Sequence, residues 1–152
     1  MSSRERRRRV AAVTSALRDL RIELAVLDHR VGNRAELRDI DFDCLDVVSR
    51  SGPITPSALA ARVGVHAATM TGILNRLEDG GWITRRPAEN DRRAVVVAST
   101  PDRQRQIYEL FGGMNTRMGQ ICDRYTDGEL DTITDFLTRT VAAGRDSSDE
   151  IG

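Results

Sequence analysis

Residues 57–100 contain two short helical patterns followed by two runs rich in β-branched residues, and this order constrains the fold more than any other feature of the chain. Thr55 and Pro56 are the N-cap and first residue of the first helix, and Gly64 supplies the turn after it. The second helix covers about residues 67–79, with apolar residues at i, i+3, i+4 and i+7: Met70, Ile73, Leu74 and Leu77. The pattern predicts a helix-turn-helix.

The two β-rich runs lie on either side of a polar loop. The first is Trp82–Thr84 and the second is Ala94–Ala98, with the segment RRPAENDRR between them. Runs of this kind joined by a short polar segment are typical of a β-hairpin. The loop is predicted to carry a cluster of positive charge: Arg85, Arg86, Arg92 and Arg93.

The first helix carries the most regular apolar pattern in the chain. Its aliphatic residues recur at alternating intervals of three and four: Val10, Val13, Leu17, Leu20, Leu24, Leu27 and Val31. This is a heptad seam, which requires another helix to cover it, either from the same chain or from a second subunit. Gly32-Asn33 is predicted to end the helix.

The remaining segments are also predicted to be helical. A short helix is expected over Phe42–Arg50, entered through acids that would cap its open N–H groups: Asp39, Asp41 and Asp43. A fifth helix begins at Thr100-Pro101 and is interrupted at Gly112-Gly113. Thr126 and Glu129 form a capping box for a last helix, and the polar tail of the last nine residues is expected to fray.

Composition argues against several classes of function. The 152 residues suffice for one domain, and no apolar run is long enough for a membrane span or a signal peptide, so we expect a cytoplasmic protein with no membrane partner. The net charge is zero, so total charge gives no support for a nucleic-acid partner. Two histidines and the isolated Cys44 and Cys122 make no metal-ligand or catalytic pattern, so we expect no enzyme activity, no metal and no cofactor.

The order and spacing of these motifs resemble the MarR family of winged helix-turn-helix transcriptional regulators over nearly the whole chain. The matching motifs are LA at 59–60, VGV at 63–65, TxT at 69–71, RLExxGWI at 76–83, RRP at 85–87 and NDRRAVVVAST at 90–100. The resemblance implies a mainly α fold with a small β-hairpin, called the wing, and with long N- and C-terminal dimerisation helices. It implies a single domain over 1–152, in which 34–105 form the winged-helix DNA-binding part and 1–33 with 106–152 form the helical dimerisation part.

The same resemblance implies a transcriptional repressor that binds double-stranded DNA as a homodimer. Recognition helices would enter successive major grooves, and wings the flanking minor grooves, of a pseudo-palindromic operator whose half-sites lie about one turn (~10 bp) apart. The implied DNA contacts are Ser57, His66, Ala67, Ala68, Thr69, Thr71, Gly72, Asn75, Arg76, Arg85, Arg86, Asn90, Asp91, Arg92 and Arg93. The implied dimer contacts are Val10, Val13, Leu17, Leu20, Leu24, Leu27, Ile121, Leu130, Ile133, Phe136 and Leu137.

Family resemblance also implies a small aromatic or amphipathic effector that is held between the two parts and loosens DNA binding. Its pocket is placed near Leu27, Val47, Arg50, Ile107 and Phe111. Within the wing, Asp91 is expected to hold the shape of the loop by pairing with an arginine.

The chain departs from the family pattern at the recognition helix. His66 and Ala67 stand where the family usually has a Ser or Asp cap followed by an arginine, and Gly72 stands where another arginine is common. We therefore expect His66 to act as a substitute cap, and the wing and the arginine-rich segment 4–9 to contribute more of the affinity.

Two other functions remain open: a winged-helix module that binds a protein, and a DNA-binding protein without a ligand. Arg92 and Arg93 beside Asp91 favour DNA, because a protein-binding wing has no need of them.

Overall fold

The computed structural model describes residues 3–151 and contains seven helices and one antiparallel hairpin within that range. The helices are α1 (Ser3–Arg34), α2 (Asp39–Ser51), α3 (Pro56–Val63), α4 (Ala67–Asp79), α5 (Pro101–Leu110), α6 (Gly112–Cys122) and α7 (Asp127–Ile151). The strands are β1 (Ile83–Pro87) and β2 (Val95–Ser99). This confirms the predicted mainly α fold with a β-hairpin wing.

The chain divides into two compact units, with the boundary between Leu110 and Phe111. The proposed division at 33/34 and 105/106 remains a prediction, and its terminal residues 1, 2 and 152 lie outside the described residues. Within the described range, no helix combines the length and apolar character needed to cross a bilayer.

The core of the first unit lies between α2, α3, α4 and the wing. Its most deeply buried side chains come from all four: Cys44, Val48, Leu59, Met70, Ile73, Leu77, Ile83 and Val97. The wing is tied to the segment before α3, because Ile54 and Val97 exchange backbone hydrogen bonds of 3.0 and 2.8 Å. The predicted apolar face of α4 is thus buried, which leaves the opposite face exposed.

Strand β1 extends farther than the sequence predicted. It continues to Pro87, so Arg85 and Arg86 belong to the strand and pair with Val97 and Val96 of β2. The loop is therefore shorter than the segment RRPAENDRR, whose first three residues belong to β1. The β-branched run of β2 supplies a partner for each of these positions, and the pairing carries the two arginines into the sheet.

Helix α1 passes through its predicted stop at Gly32 and ends at Arg34. Gly32 is buried, and an added Cβ there would lie 3.5 Å from the Cβ of Phe42 in α2. This separation is an ordinary van der Waals contact, so α1 packs against Phe42 here without requiring a glycine. The chain leaves the helical conformation two residues beyond α1, at Glu36, which has φ of 59°.

The acids at the start of α2 do not cap it, contrary to the prediction. The N-cap residue is Arg38, which makes no side-chain capping bond. Asp39 contacts His29 of α1, with 2.7 Å between Oδ1 and Nδ1, and Asp41 contacts Arg76 of α4. These acids therefore join α2 to other helices.

The second unit contains α6 and α7. The predicted break at Gly112-Gly113 is confirmed, because α5 ends before it and α6 begins at Gly112. The capping box is confirmed as well: Thr126 donates its backbone N–H to Glu129 Oε2 at 2.8 Å, and this bond lowers the pKa of Glu129. Over the described residues the tail is helical, since α7 continues to Ile151, and its fraying remains a prediction.

Candidate nucleic-acid interface

The outward face of α4 is small, exposed and uncharged. At about 100° per residue, Ala68, Thr71, Gly72 and Asn75 lie together on the side opposite the buried stripe. The segment 67–75 contains no charged residue. Such a face can lie close to another surface, and it carries no charge that would attract or repel that surface.

Most of the predicted DNA contacts are exposed. The exposed positions are Ser57, His66, Ala67, Ala68, Thr69, Thr71, Asn75, Arg86, Asn90, Asp91, Arg92 and Arg93, while Gly72, Arg76 and Arg85 are half-buried. All of them belong to the first unit, in α3, α4, the wing and the residue before α4. One surface of a single unit can therefore present the recognition helix and the wing arginines.

His66 precedes α4 as its N-cap residue, but its side chain makes no capping hydrogen bond, so the expectation of a substitute cap was wrong. The first N–H groups of α4 thus have no side-chain cap from this residue. Free N–H groups at a helix start can instead donate to an anion such as a phosphate.

The half-buried side chain of Arg76 is held by a buried carboxylate. Its Nη2 lies 2.6 Å from Asp41 Oδ1 and its Nε lies 2.9 Å from Asp41 Oδ2, which is a bidentate pair between α4 and α2. The side chain of Asp41 is 5% exposed, and the hydrogen bond to it raises the pKa of Arg76. The pair fixes α4 against α2, a role that the sequence did not indicate for this residue.

Arg85 connects the wing to the recognition helix. From β1, its Nη2 donates to Asn75 Oδ1 at 2.7 Å, and its Nη1 lies 3.2 Å from Glu78 Oε2. The family resemblance implies a DNA contact for Arg85. Its partners are two residues of α4, so its side chain links the base of the wing to that helix.

The tip of the wing is shaped by Asp91, but not through an arginine side chain as expected. Asp91 Oδ1 accepts the backbone N–H of Arg93 at 2.9 Å. The guanidinium groups of Arg92 and Arg93 therefore remain available, and both residues are exposed. An aspartate side chain readily accepts a hydrogen bond from the backbone N–H two residues later, as Asp91 does here.

The joint between α4, β1 and α5 was not foreseen from the sequence. Arg103 of α5 lies over the buried Trp82 ring, 4.7 Å from its centroid, and donates to Gly80 O at 3.1 Å. A cation near the C-terminus of α4 complements the helix dipole. The partners of Asp41, Glu78 and Arg103 are distant in sequence or lie on another element, so no local pattern indicated these contacts.

A cavity of about 240 Å³ lies where α1 meets α2. Its lining is acidic and partly apolar: Ala25, Asp28, His29, Asp39, Phe42 and Asp43. Burial first, and then neighbouring carboxylates, raise the pKa of Asp28 and of Asp43. The residues predicted for an effector pocket do not line this cavity, and one of them, Phe111, begins the second unit.

Cys44 is fully buried in the core, and burial, followed by Asp41 and Asp43, raises the pKa of its thiol to about 11. A thiol with so high a pKa is a weak nucleophile at neutral pH. Cys44 is therefore a small core residue.

Comparison with known proteins places this interface in a family. A MarR family model matches residues 40–95, which include α4 and most of the wing. The uncharacterized HTH-type transcriptional regulator YcgE of Bacillus subtilis is 30% identical over 113 residues, covering 74% of this chain and 73% of that protein. The HTH-type transcriptional repressor YetL of the same species is 27% identical over 84 residues, covering 55% of this chain and 50% of YetL.

A solved structure extends the similarity to most of the fold. Transcriptional regulator Tm0710 from Thermotoga maritima is 25% identical, with a TM-score of 0.64, covering 91% of this chain and 98% of that chain. The sequence match and the structural match agree on the winged helix-turn-helix. The chain therefore belongs to the MarR family of transcriptional regulators.

Proposed function

We propose that this regulator is a repressor that binds a pseudo-palindromic operator as a homodimer, with α4 in the major groove and the wing in the adjacent minor groove. The observation that carries the proposal is the uncharged outward face of α4 in the same unit as the exposed Arg92 and Arg93. A flat helix face can approach base edges, and arginines suit a narrow minor groove. Repression is carried over from the name of YetL.

Dimerisation is supported by the exposed apolar seam of α1. Its members include Val10, which is 54% exposed, and Val13, Leu20 and Leu24, which are also exposed. In α7, apolar side chains are exposed too: Ile133, Phe136, Leu137 and Val141. We propose that residues 1–33 and 106–152 form the dimer contacts and that 34–105 bind DNA. In a two-fold dimer of this kind, the two half-sites would lie about one turn (~10 bp) apart.

We further propose that a small aromatic or amphipathic effector releases the operator. Its binding would act through the joint of α1 and α2, since Asp41 of α2 holds Arg76 of the recognition helix. An effector that shifted α2 would change the position of α4 by this contact. The predicted lining residues Leu27, Val47, Arg50, Ile107 and Phe111 remain candidates.

Replacing Arg92 and Arg93 together by alanine tests the DNA-binding mode. Operator affinity, measured by fluorescence anisotropy on the DNA beside the protein's own gene, should fall, and the slope of log K against log salt should become less steep by about one to two. Arg105→Ala, an exposed position in α5, is the matched control. Unchanged affinity and slope in the double variant would rule out the wing as a DNA contact.

The same titration of the wild-type protein, with small aromatic compounds added, tests effector release.

A further inference from the structure

The orientation of the Asn75 side chain is set by its neighbours. Its Oδ1 lies 2.7 Å from Arg85 Nη2, and Arg85 Nη1 lies 3.2 Å from Glu78 Oε2. A guanidinium group can only donate hydrogen bonds, so the amide edge that faces it must be the carbonyl oxygen. The contact therefore directs the oxygen of Asn75 toward strand β1 and leaves the NH₂ group at the other end of the amide.

This orientation limits which base Asn75 can read. An asparagine that recognises adenine uses both ends of its amide, accepting from N6 and donating to N7. Here Arg85 occupies one lone pair of Oδ1 and directs the oxygen toward strand β1, whereas neither N–H donor is engaged by Arg85. Guanine presents two adjacent acceptors, N7 and O6, in the major groove, whereas adenine places a donor beside its N7. Two donors therefore match guanine better than adenine.

The other side chains on the outward face of α4 cannot supply these donors. Ala68 and Gly72 have no polar side-chain atom, and Thr71 donates its hydroxyl hydrogen to Ala67 O at 3.2 Å. Among Ala68, Thr71, Gly72 and Asn75, which form this face, Asn75 is thus the residue that can donate two hydrogen bonds to a base edge with two acceptors.

We propose that Asn75 is a specificity-determining residue that selects guanine over adenine in each half-site, and that Arg85 is its positioning residue. The inference rests on the proposed function, because it requires α4 to lie in the major groove. Arg85 acts through Asn75 and is supported by Glu78, and it makes no phosphate contact of its own.

Selection of duplexes from a random pool by the full-length chain tests this proposal, because it requires no choice of operator sequence. The wild-type protein should select guanine at one position of each half-site, and Asn75→Ala should lose the preference at that position while keeping the others. Asn75→Asp should shift the preference toward cytosine, whose N4 donates to a carboxylate. Replacing the selected guanine by 7-deazaguanine, which lacks the N7 acceptor, should weaken wild-type binding about fivefold or more and leave Asn75→Ala binding nearly unchanged.

The salt dependence of DNA affinity distinguishes the proposed role of Arg85 from a direct phosphate contact. Arg85→Ala should reduce the guanine preference at the same position, because the freed amide can rotate and pair with adenine, while the salt slope stays at the wild-type value. A direct phosphate contact would instead lower the slope by about one and keep the base preference. Arg85→Lys, which retains the charge but not the planar fork, should also relax the preference.

The outcomes distinguish this inference from the proposed function. If the wild-type chain selects a half-site and Asn75→Ala selects the same bases at every position, or if the affected base is adenine, the inference is overturned while DNA recognition stands. If the wild-type chain selects no sequence at all, the proposed function itself fails. Thermal melting of each variant confirms that it is folded.

Discussion

Gly72 lies in the middle of α4, the proposed recognition helix, and contacts within the protein do not explain a glycine at this position. A Cβ added there would meet Arg76 Nη1 at 3.5 Å, an ordinary contact, and no other heavy atom of the described chain within 4 Å. Glycine inside a helix costs about 1 kcal/mol relative to alanine. Because packing does not require this glycine, a close approach from outside the protein accounts for it best.

Gly72→Ala should therefore make the protein more stable and bind DNA less well. The free energy of unfolding in urea should rise by about 0.5–1 kcal/mol, since alanine favours the helix. Operator affinity by anisotropy should fall, because the added methyl group stands between α4 and the base edges. Gly64→Ala offers a contrast: Gly64 has φ of 71°, so alanine there should lower stability. An unchanged affinity for Gly72→Ala would show that no close approach occurs at this position.

The residue types of the site were predictable from the sequence, but the partners of several residues were not. Arg76 and Arg85 were both placed on the DNA surface because of their position in the motif. Arg76 binds Asp41, 35 residues earlier in the chain, and Arg85 binds Asn75 and Glu78 across the helix–strand junction. A local pattern shows that an arginine is present, whereas only the fold determines which carboxylate is near it.

At the scale of elements, the caps expected from Thr55 and Thr126 were predicted correctly, whereas those expected from the acids at the start of α2 and from His66 were wrong. Thr55 accepts from the N–H of Ala58 at 3.2 Å and Thr126 forms its capping box, because a cap depends on residues only two or three positions away. Helix α1 continues two residues past Gly32, which is buried against Phe42 of the next helix. Signals that depend on tertiary contact cannot be interpreted from neighbouring residues alone.

The joint between α1 and α2 holds carboxyl groups that are costly to ionise. Burial is the main cause of the raised pKa of Asp28, followed by the charges of Asp46 and Asp43, with Arg50 acting in the opposite direction. A raised pKa in the folded state means that the protonated form is favoured by folding. The stabilisation that Asp28 contributes is therefore complete below its ordinary pKa of 3.8 and is lost as pH rises through the folded-state pKa.

Asp28→Asn should accordingly raise the melting temperature at pH 7, where the wild-type carboxylate is charged in a half-buried site. The difference between variant and wild type should shrink as the pH falls toward 4 and below, because wild-type Asp28 becomes neutral there. Thermal melts from pH 3.5 to 8 measure this, with Asp19→Asn, an exposed position on α1, as the control for removal of one charge. A stabilisation by Asp28→Asn that is independent of pH would contradict this explanation.

At the scale of the whole molecule, α1 is too exposed to be explained by the first unit alone. A helix of 32 residues is about 48 Å long, and of its described residues Val31 and Gly32 are buried. The rest of the heptad seam is exposed or half-buried, including Val10, Val13, Leu20 and Leu24. An apolar seam of this length favours a partner helix, and we infer that a second copy of the chain supplies it.

Leu20→Glu should therefore weaken the dimer, since it places a charge in the middle of the seam where apolar side chains would meet. Light scattering and sedimentation at micromolar concentration should give a dimer for the wild-type chain and a shift toward monomer for the variant. Arg18→Glu puts the same charge at a position off the seam and should leave the mass unchanged. Because the two half-sites need both subunits, Leu20→Glu should also reduce operator affinity while circular dichroism shows that its helices persist. A wild-type chain that is a stable monomer would remove the basis for a two-fold operator, even if each copy binds DNA.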